Sequence, residues 1–168
     1  VLRSTSSLSA RALPMAVPGI STNTRLLGTA IITEGQLTAY QVRLFKASWS
    51  ASKATRIITS LEPCVRQYSI KRVVLSTPYE YHQTDAYKVL HSRLCQYFGR
   101  KGIEIISISP DRFHSLYENG GQKRKKALIE ELCSCYPELR YCRDRELRNK
   151  NKYYFKLFEA VAAATLHQ

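Results

Sequence analysis

The order in which the hydrophobic period changes along the chain constrains its fold more than any other feature. Three short runs of strand character come first, around Ala16-Val17 and Ile20, over Leu26–Ile32 and over Leu37–Phe45. The third interleaves β-branched and aromatic residues with polar ones, as a pleated strand with one wet face requires. Between the runs stand a polar turn, Ser21-Thr22-Asn23-Thr24-Arg25, and the two-residue hairpin signal Glu34-Gly35. Connections this short join antiparallel neighbours, so the opening stretch reads as a meander.

The period then switches to helical spacing and back. Ala54, Ile57, Ile58, Leu61 and Val65 share one face of a helix from about Ala51 to Gln67, with Ser50 as its N-cap and Pro63 placed to kink or split it. Lys71–Ser76 is a short strand of buried character. Thr84 caps a second helix with the stripe Val89, Leu90, Leu94, Tyr97 and Phe98, ended by Gly102. Ile103–Ser109 alternates as a strand, and Pro110 opens a short helical piece reaching Tyr117. Asn119-Gly120-Gly121 is a loop, after which Leu128, Ile129, Leu132, Cys133 and Tyr136 line another helix that Pro137 stops. Arg140–Lys152 is strongly charged. A last helix, Tyr153–Leu166, becomes alanine-rich, which lets it lie close to a sheet. Strands separated by helices pair in parallel. The expected fold is therefore α/β, a mixed five-stranded sheet of three antiparallel strands and two parallel additions, flanked by helices.

One domain, Met15–Gln168, accounts for this pattern. Residues 1–14 are serine-rich, carry Arg3 and Arg11 and contain no acid. They read as a flexible leader, either an organellar transit segment or an upstream extension. No apolar run approaches the roughly 20 residues of a membrane span. A cytoplasmic protein is expected, associated with the nucleoid if bacterial, with organellar import through residues 1–14 as the other option. The five cysteines, Cys64, Cys95, Cys133, Cys135 and Cys142, contain no C-x-x-C pair. With His82, His91, His114 and His167 scattered, they lack the spacing of a zinc site and read as reduced, buried thiols.

Lysine and arginine number 26 against 13 acids, a formal charge of +13. Such a surface attracts polyanions, which makes nucleic acid the leading partner class. Two clusters concentrate the charge: Lys123, Arg124, Lys125 and Lys126, at the start of a helix, and Arg140, Arg143, Arg145, Arg148, Lys150 and Lys152, ahead of the last one. Both are candidate phosphate contacts. Tyr79, Tyr81 and His82, just after the fourth strand, could stack exposed bases. Tyr153, Tyr154, Phe155 and Phe158 read as helix-packing residues.

Three stretches together resemble a known family. Gly19–Ala30 (GISTNTRLLGTA) is similar to the opening strand-turn-strand of Holliday-junction resolvases, the RuvC-like branch of the ribonuclease-H-like superfamily. Lys71–Ser76 resembles their fourth strand, and Glu159–His167 (EAVAAATLH) their closing helix. The resemblance implies a phosphodiester-cleaving site with two divalent ions about 4 Å apart, held by carboxylates. Position by position, those carboxylates fall on Ser21, Ser76, Lys156 and Glu159. Only Glu159 is acidic, and no Asp or Glu precedes Glu34. Lys156 could fill the space of a cation with its own ammonium. Glu80 is a candidate substitute acid and Glu104 a weaker one.

The resemblance thus implies a nucleic-acid-binding protein for branched or structured DNA, catalytically degenerate and without a cofactor. One alternative is an active endodeoxyribonuclease using Mg²⁺ or Mn²⁺ with a relocated acid set. Another is a protein-interaction module on the same scaffold. Four-way junctions have two-fold symmetry, so a homodimer would suit such a ligand.

Overall fold

The computed structural model describes residues 15–117, 124–150 and 152–167. Strands β1 (Ala16–Thr22), β2 (Leu26–Thr33) and β3 (Gln36–Leu44) form the antiparallel meander. Glu34 and Gly35 both adopt positive φ, 51° and 75°, the tight-turn geometry whose twist suits a hairpin. The turn before β2 is shorter than the polar run suggests. Ser21 and Thr22 belong to β1, opposite Gly28 and Leu27, and both are buried. The chain reverses only over 23–25 because Asn23 Oδ1 accepts the backbone N–H groups of Arg25 (2.8 Å) and Leu26 (2.6 Å).

β4 (Arg72–Ser76) and β5 (Glu104–Ile108) extend the sheet in parallel, giving the order β3-β2-β1-β4-β5. Their crossovers are helical. In α1 (Ala51–Thr59), Ser50 Oγ accepts the Lys53 N–H at 3.0 Å. Pro63 falls in the first turn of α2 (Glu62–Gln67), where a missing N–H costs nothing, so the predicted long helix is split in two. Thr84 Oγ1 caps α3 (Asp85–Arg100) by accepting the Tyr87 N–H at 3.1 Å. The buried stripe of α3 is Tyr87, Leu90, Leu94 and Phe98, while Val89 lies half-exposed beside it. A 3-10 segment, Pro110–Leu116, follows β5.

The sheet has a hydrophobic cluster on each face. Ile20, Leu27, Ile31, Val73 and Leu75 pack with Ile57, Leu90, Leu94 and Phe98 on one side. On the other, Val17, Ala30, Ile32 and Val74 meet α4 (Arg124–Cys135) and α6 (Phe155–Leu166). Residues 157–164 of α6 are all buried, and the helix lies directly across β1 and β2. Two glycines permit that approach. A Cβ on Gly19 would sit 1.9 Å from the Ala160 carbonyl oxygen, and one on Gly28 would sit 2.2 Å from that of Lys156.

The charged stretch after Pro137 contains a helix that its sequence does not announce, α5 (Arg140–Arg148). Its buried residues are Cys142 and Glu146, too few for an apolar stripe. Glu146 is nonetheless essential to the local build, because its Oε2 accepts the backbone N–H groups of Tyr153 (3.1 Å) and Tyr154 (2.7 Å), which lead into α6. Glu146→Ala should lower unfolding stability by about 2–4 kcal/mol, since two charge-assisted bonds are lost and two donors are left bare. Asp144→Ala, at an exposed position of the same helix, should change it by less than about 1 kcal/mol in the same urea titration.

The five cysteines are unpaired. Cys133 and Cys142 are buried as expected, but Cys64 and Cys95 are only half-buried and Cys135 is exposed. Burial pushes the Cys133 thiol up to about 11, so it stays protonated and packs as a small apolar group. No helix among the described residues is long and apolar enough to cross a membrane.

Candidate functional site

Parallel strands β1 and β4 end side by side, and a crevice opens beyond their carboxyl ends, where open α/β sheets commonly hold ligands. The cleft measures about 680 Å³. Its walls are the Asn23–Arg25 turn, Pro78 and Tyr79 after β4, the 3-10 segment, the start of α4 and the first turns of α6.

At the strand ends, Ser21 and Ser76 are register partners across the β1–β4 pair. Both are buried, and the Ser21 hydroxyl has no hydrogen-bond partner among the described residues. By strand alternation they share the sheet face of Gly19 and Val74, the face covered by α6. From that helix, Lys156 and Glu159 line the cleft one turn apart. The Lys156 ammonium donates to Glu159 Oε1 at 2.9 Å, with side chains only 18% and 10% exposed. The four positions picked out by resemblance therefore gather at one end of the sheet, as two neutral hydroxyls and an ion pair.

The basic clusters divide. Lys125 and Lys152 line the cleft, with the Lys125 ammonium 4.7 Å above the Phe155 ring. Phe155, read from sequence as a packing residue, is thus part of the cleft wall, whereas Phe158 is fully buried. Lys126 is exposed at the start of α4, Lys123 lies outside the described residues, and so does the Asn119–Gly121 loop. Arg124 opens α4. In the second cluster, Arg143 is engaged by Glu130 (3.2 Å) and Asp144 (3.1 Å), tying α5 to α4. Arg145 sits 5.1 Å over the Tyr141 ring. Arg140, Arg148 and Lys150 are exposed and, like Arg143 and Arg145, do not line the cleft.

Neither substitute acid joins the site. Glu80 is exposed in the 3-10 turn Glu80–His82, outside the lining, although its neighbours Tyr79 and His82 contribute to it. Glu104 begins β5 at the opposite end of the sheet and is paired with Arg72 at 2.8 Å. Tyr79 and Tyr81 stack with ring centroids 5.3 Å apart and planes 6° from parallel, and Tyr81 is 78% exposed. Tyr79 is anchored by donating its hydroxyl to Asp111 Oδ1 at 2.6 Å.

Sequence reasoning missed Arg25, His114 and Tyr87, all of which line the cleft. Burial pushes the Tyr87 phenol up to about 12, leaving it a protonated donor. Among the described residues, the cations lining the cleft are Arg25, Lys125, Lys152 and Lys156, and the only carboxylate is Glu159. No three His, Cys, Asp or Glu side chains among the described residues converge as a metal site would require.

No protein-family model matches the chain, and no curated protein matches it in sequence. Solved structures do share its fold. RuvC of T. thermophilus in complex with Holliday junction substrate matches with a TM-score of 0.69 at 14% identity, over 91% of this chain and 92% of that one. A second Thermus thermophilus RuvC structure gives 0.68 at 16% identity, covering 91% and 93%. The Fowlpox virus resolvase, in a complex with Holliday junction DNA, gives 0.59 at 15% identity, covering 91% and 96%. The fold is the ribonuclease-H-like fold of the RuvC resolvases, as the resemblance implies.

Proposed function

We propose that this protein binds branched or structured nucleic acid in its basic cleft, on a resolvase-type scaffold that does not cut the bound strand. The observation that carries this reading is the charge of the cleft. There Arg25, Lys125, Lys152 and Lys156 face one carboxylate among the described residues, Glu159, itself bound to Lys156. A concave wall of one sign focuses the field onto a polyanion. Two of the similar structures hold a Holliday junction, which makes four-way DNA the first ligand to test. Lys126, exposed outside the cleft at the start of α4, would extend the contact along the phosphate backbone, and Tyr79 and Tyr81 would offer an aromatic face to an unstacked base. Such a protein would work wherever cellular DNA is handled, the cytoplasm or an organelle, and a homodimer would match the symmetry of a junction.

Two divalent ions do not fit the residues present. Hard Mg²⁺ or Mn²⁺ ions packed together need anionic oxygens to hold them and offset their repulsion. Ser21 and Ser76 bring neutral hydroxyls, and the Glu159 carboxylate is already engaged by the Lys156 ammonium. Incubating the full chain with a labelled four-way junction and a matched linear duplex in Mn²⁺, on native and denaturing gels, tests the proposal. Intact junction shifted more strongly than duplex is the expected outcome. Strand cleavage that disappears in Glu159→Gln would overturn it in favour of a relocated catalytic acid set, and equal binding of junction and duplex would remove the preference for branched DNA.

A further inference from the structure

We infer that the Lys156 ammonium, held by Glu159 in the cleft wall, is itself a phosphodiester-binding cation, so that ligand binding needs no divalent ion and Glu159 acts to position that ammonium while restraining its field. This inference rests on the nucleic-acid reading above and deepens it by naming the binding group.

A lysine free in water spreads its ammonium over many rotamers, and fixing it costs entropy. Lys156 is largely withdrawn from solvent in the first turn of α6, and its Nζ is held 2.9 Å from Glu159 Oε1. That contact uses one of the three N–H donors of an ammonium, which leaves donors for a phosphate oxygen in the cleft that Lys156 lines. Partial burial strengthens the attraction compared with an exposed lysine. Arg25, Lys125 and Lys152 line the same cavity, so the phosphate would meet a group of cations with no metal ion among its ligands. Glu159 has two opposed effects: it orients the ammonium, and its negative charge repels the incoming phosphate. With three further cations already setting the sign of the cleft, the repulsion outweighs the orientation, and a neutral isostere at 159 should bind more tightly.

The test is the anisotropy of a labelled four-way DNA junction titrated with the full-length chain, at constant ionic strength, in EDTA and in Mg²⁺. Wild-type affinity should be the same in EDTA or somewhat weaker in Mg²⁺, which competes as a counterion. Lys156→Gln should weaken binding about tenfold and reduce the salt slope by about one. Lys156→Arg should stay within about threefold of wild type. Glu159→Gln should tighten binding about threefold to tenfold. Matching thermal melts would show that each variant is folded. Loss of wild-type binding in EDTA, indifference to Lys156→Gln or weaker binding by Glu159→Gln would overturn this inference while leaving nucleic-acid binding intact. No junction or duplex binding by the wild type in either buffer would overturn the function itself, and this inference with it.

Discussion

Alanine at Gly19 is expected to abolish cooperative folding of the chain, and alanine at Gly28 to come close to doing so. The added Cβ at Gly19 would lie 1.9 Å from the carbonyl oxygen of Ala160 and 2.8 Å from the backbone nitrogen of Ala164. At Gly28 it would lie 2.2 Å from the carbonyl oxygen of Lys156. Where a clash meets a flexible side chain, a core can yield at about 1–3 kcal/mol. Here the obstacles are the backbone of a buried helix and the backbone of a central strand, and neither can rotate away. Relief requires lifting α6 off the sheet, which opens voids among Ala160–Ala164 in a core packed to crystal-like density. A loss above about 4 kcal/mol is expected for each, a large part of the total stability of an ordinary domain. The two effects act on one helix and will not add. Gly99 provides the control, because it is exposed in α3 and a Cβ added there would meet nothing within 4 Å. Gly99→Ala should stabilise by about 0.5–1 kcal/mol through helix propensity. Urea unfolding of the three variants measures the contrast, and near-native stability of Gly19→Ala would mean that α6 does not lie this close to β1.

Those two glycines also show how far the sequence alone can be read. Gly19 and Gly28 belong to a recognisable stretch, and the alanine run of α6 signals close packing, but nothing in the sequence pairs one with the other. Local chemistry is legible wherever a residue acts on its own neighbours: Ser50 and Thr84 cap their helices, Glu34-Gly35 turns the hairpin and Pro63 splits its helix. Legibility fails where the partner is remote or the pattern thin. Helix α5 buries only Cys142 and Glu146, so no apolar period marks it. Arg143 resembles its basic neighbours, yet its partner Glu130 sits on a different helix. Arg25 passes for a turn residue, and only the packing of the start of α6 against β2 at Gly28 brings the Arg25 turn and Lys156 into one cleft. Ser21, Ser76, Lys156 and Glu159 are found by resemblance, and their assembly at one sheet end is a consequence of topology that periodicity does not contain.

Removing the other three cleft cations, as Arg25→Gln/Lys125→Gln/Lys152→Gln, is expected to have the largest effect on nucleic-acid affinity. Each charged contact to phosphate is worth about 1–1.5 kcal/mol, so the triple variant should bind on the order of a hundredfold to a thousandfold more weakly at moderate salt. Counterion release gives a second, independent readout. The plot of log affinity against log salt should flatten by up to about three units if all three side chains contact phosphate. The side chains stand on separate elements, the β1–β2 turn, α4 and the approach to α6, and none is tied into a described ion pair. Their loss should therefore leave the melting temperature nearly unchanged. Arg145→Gln/Arg148→Gln/Lys150→Gln, on and just after α5, removes the same formal charge outside the cleft and supplies the comparison. Long-range attraction to net charge alone would weaken both triples alike. A phosphate backbone seated in the cleft would weaken the first far more than the second, because convergent cations between low-dielectric walls act on the same phosphates, whereas those on an open helix face are screened within about 10 Å. Equal losses would mean that the basic surface binds diffusely and that the cleft has no special part in it.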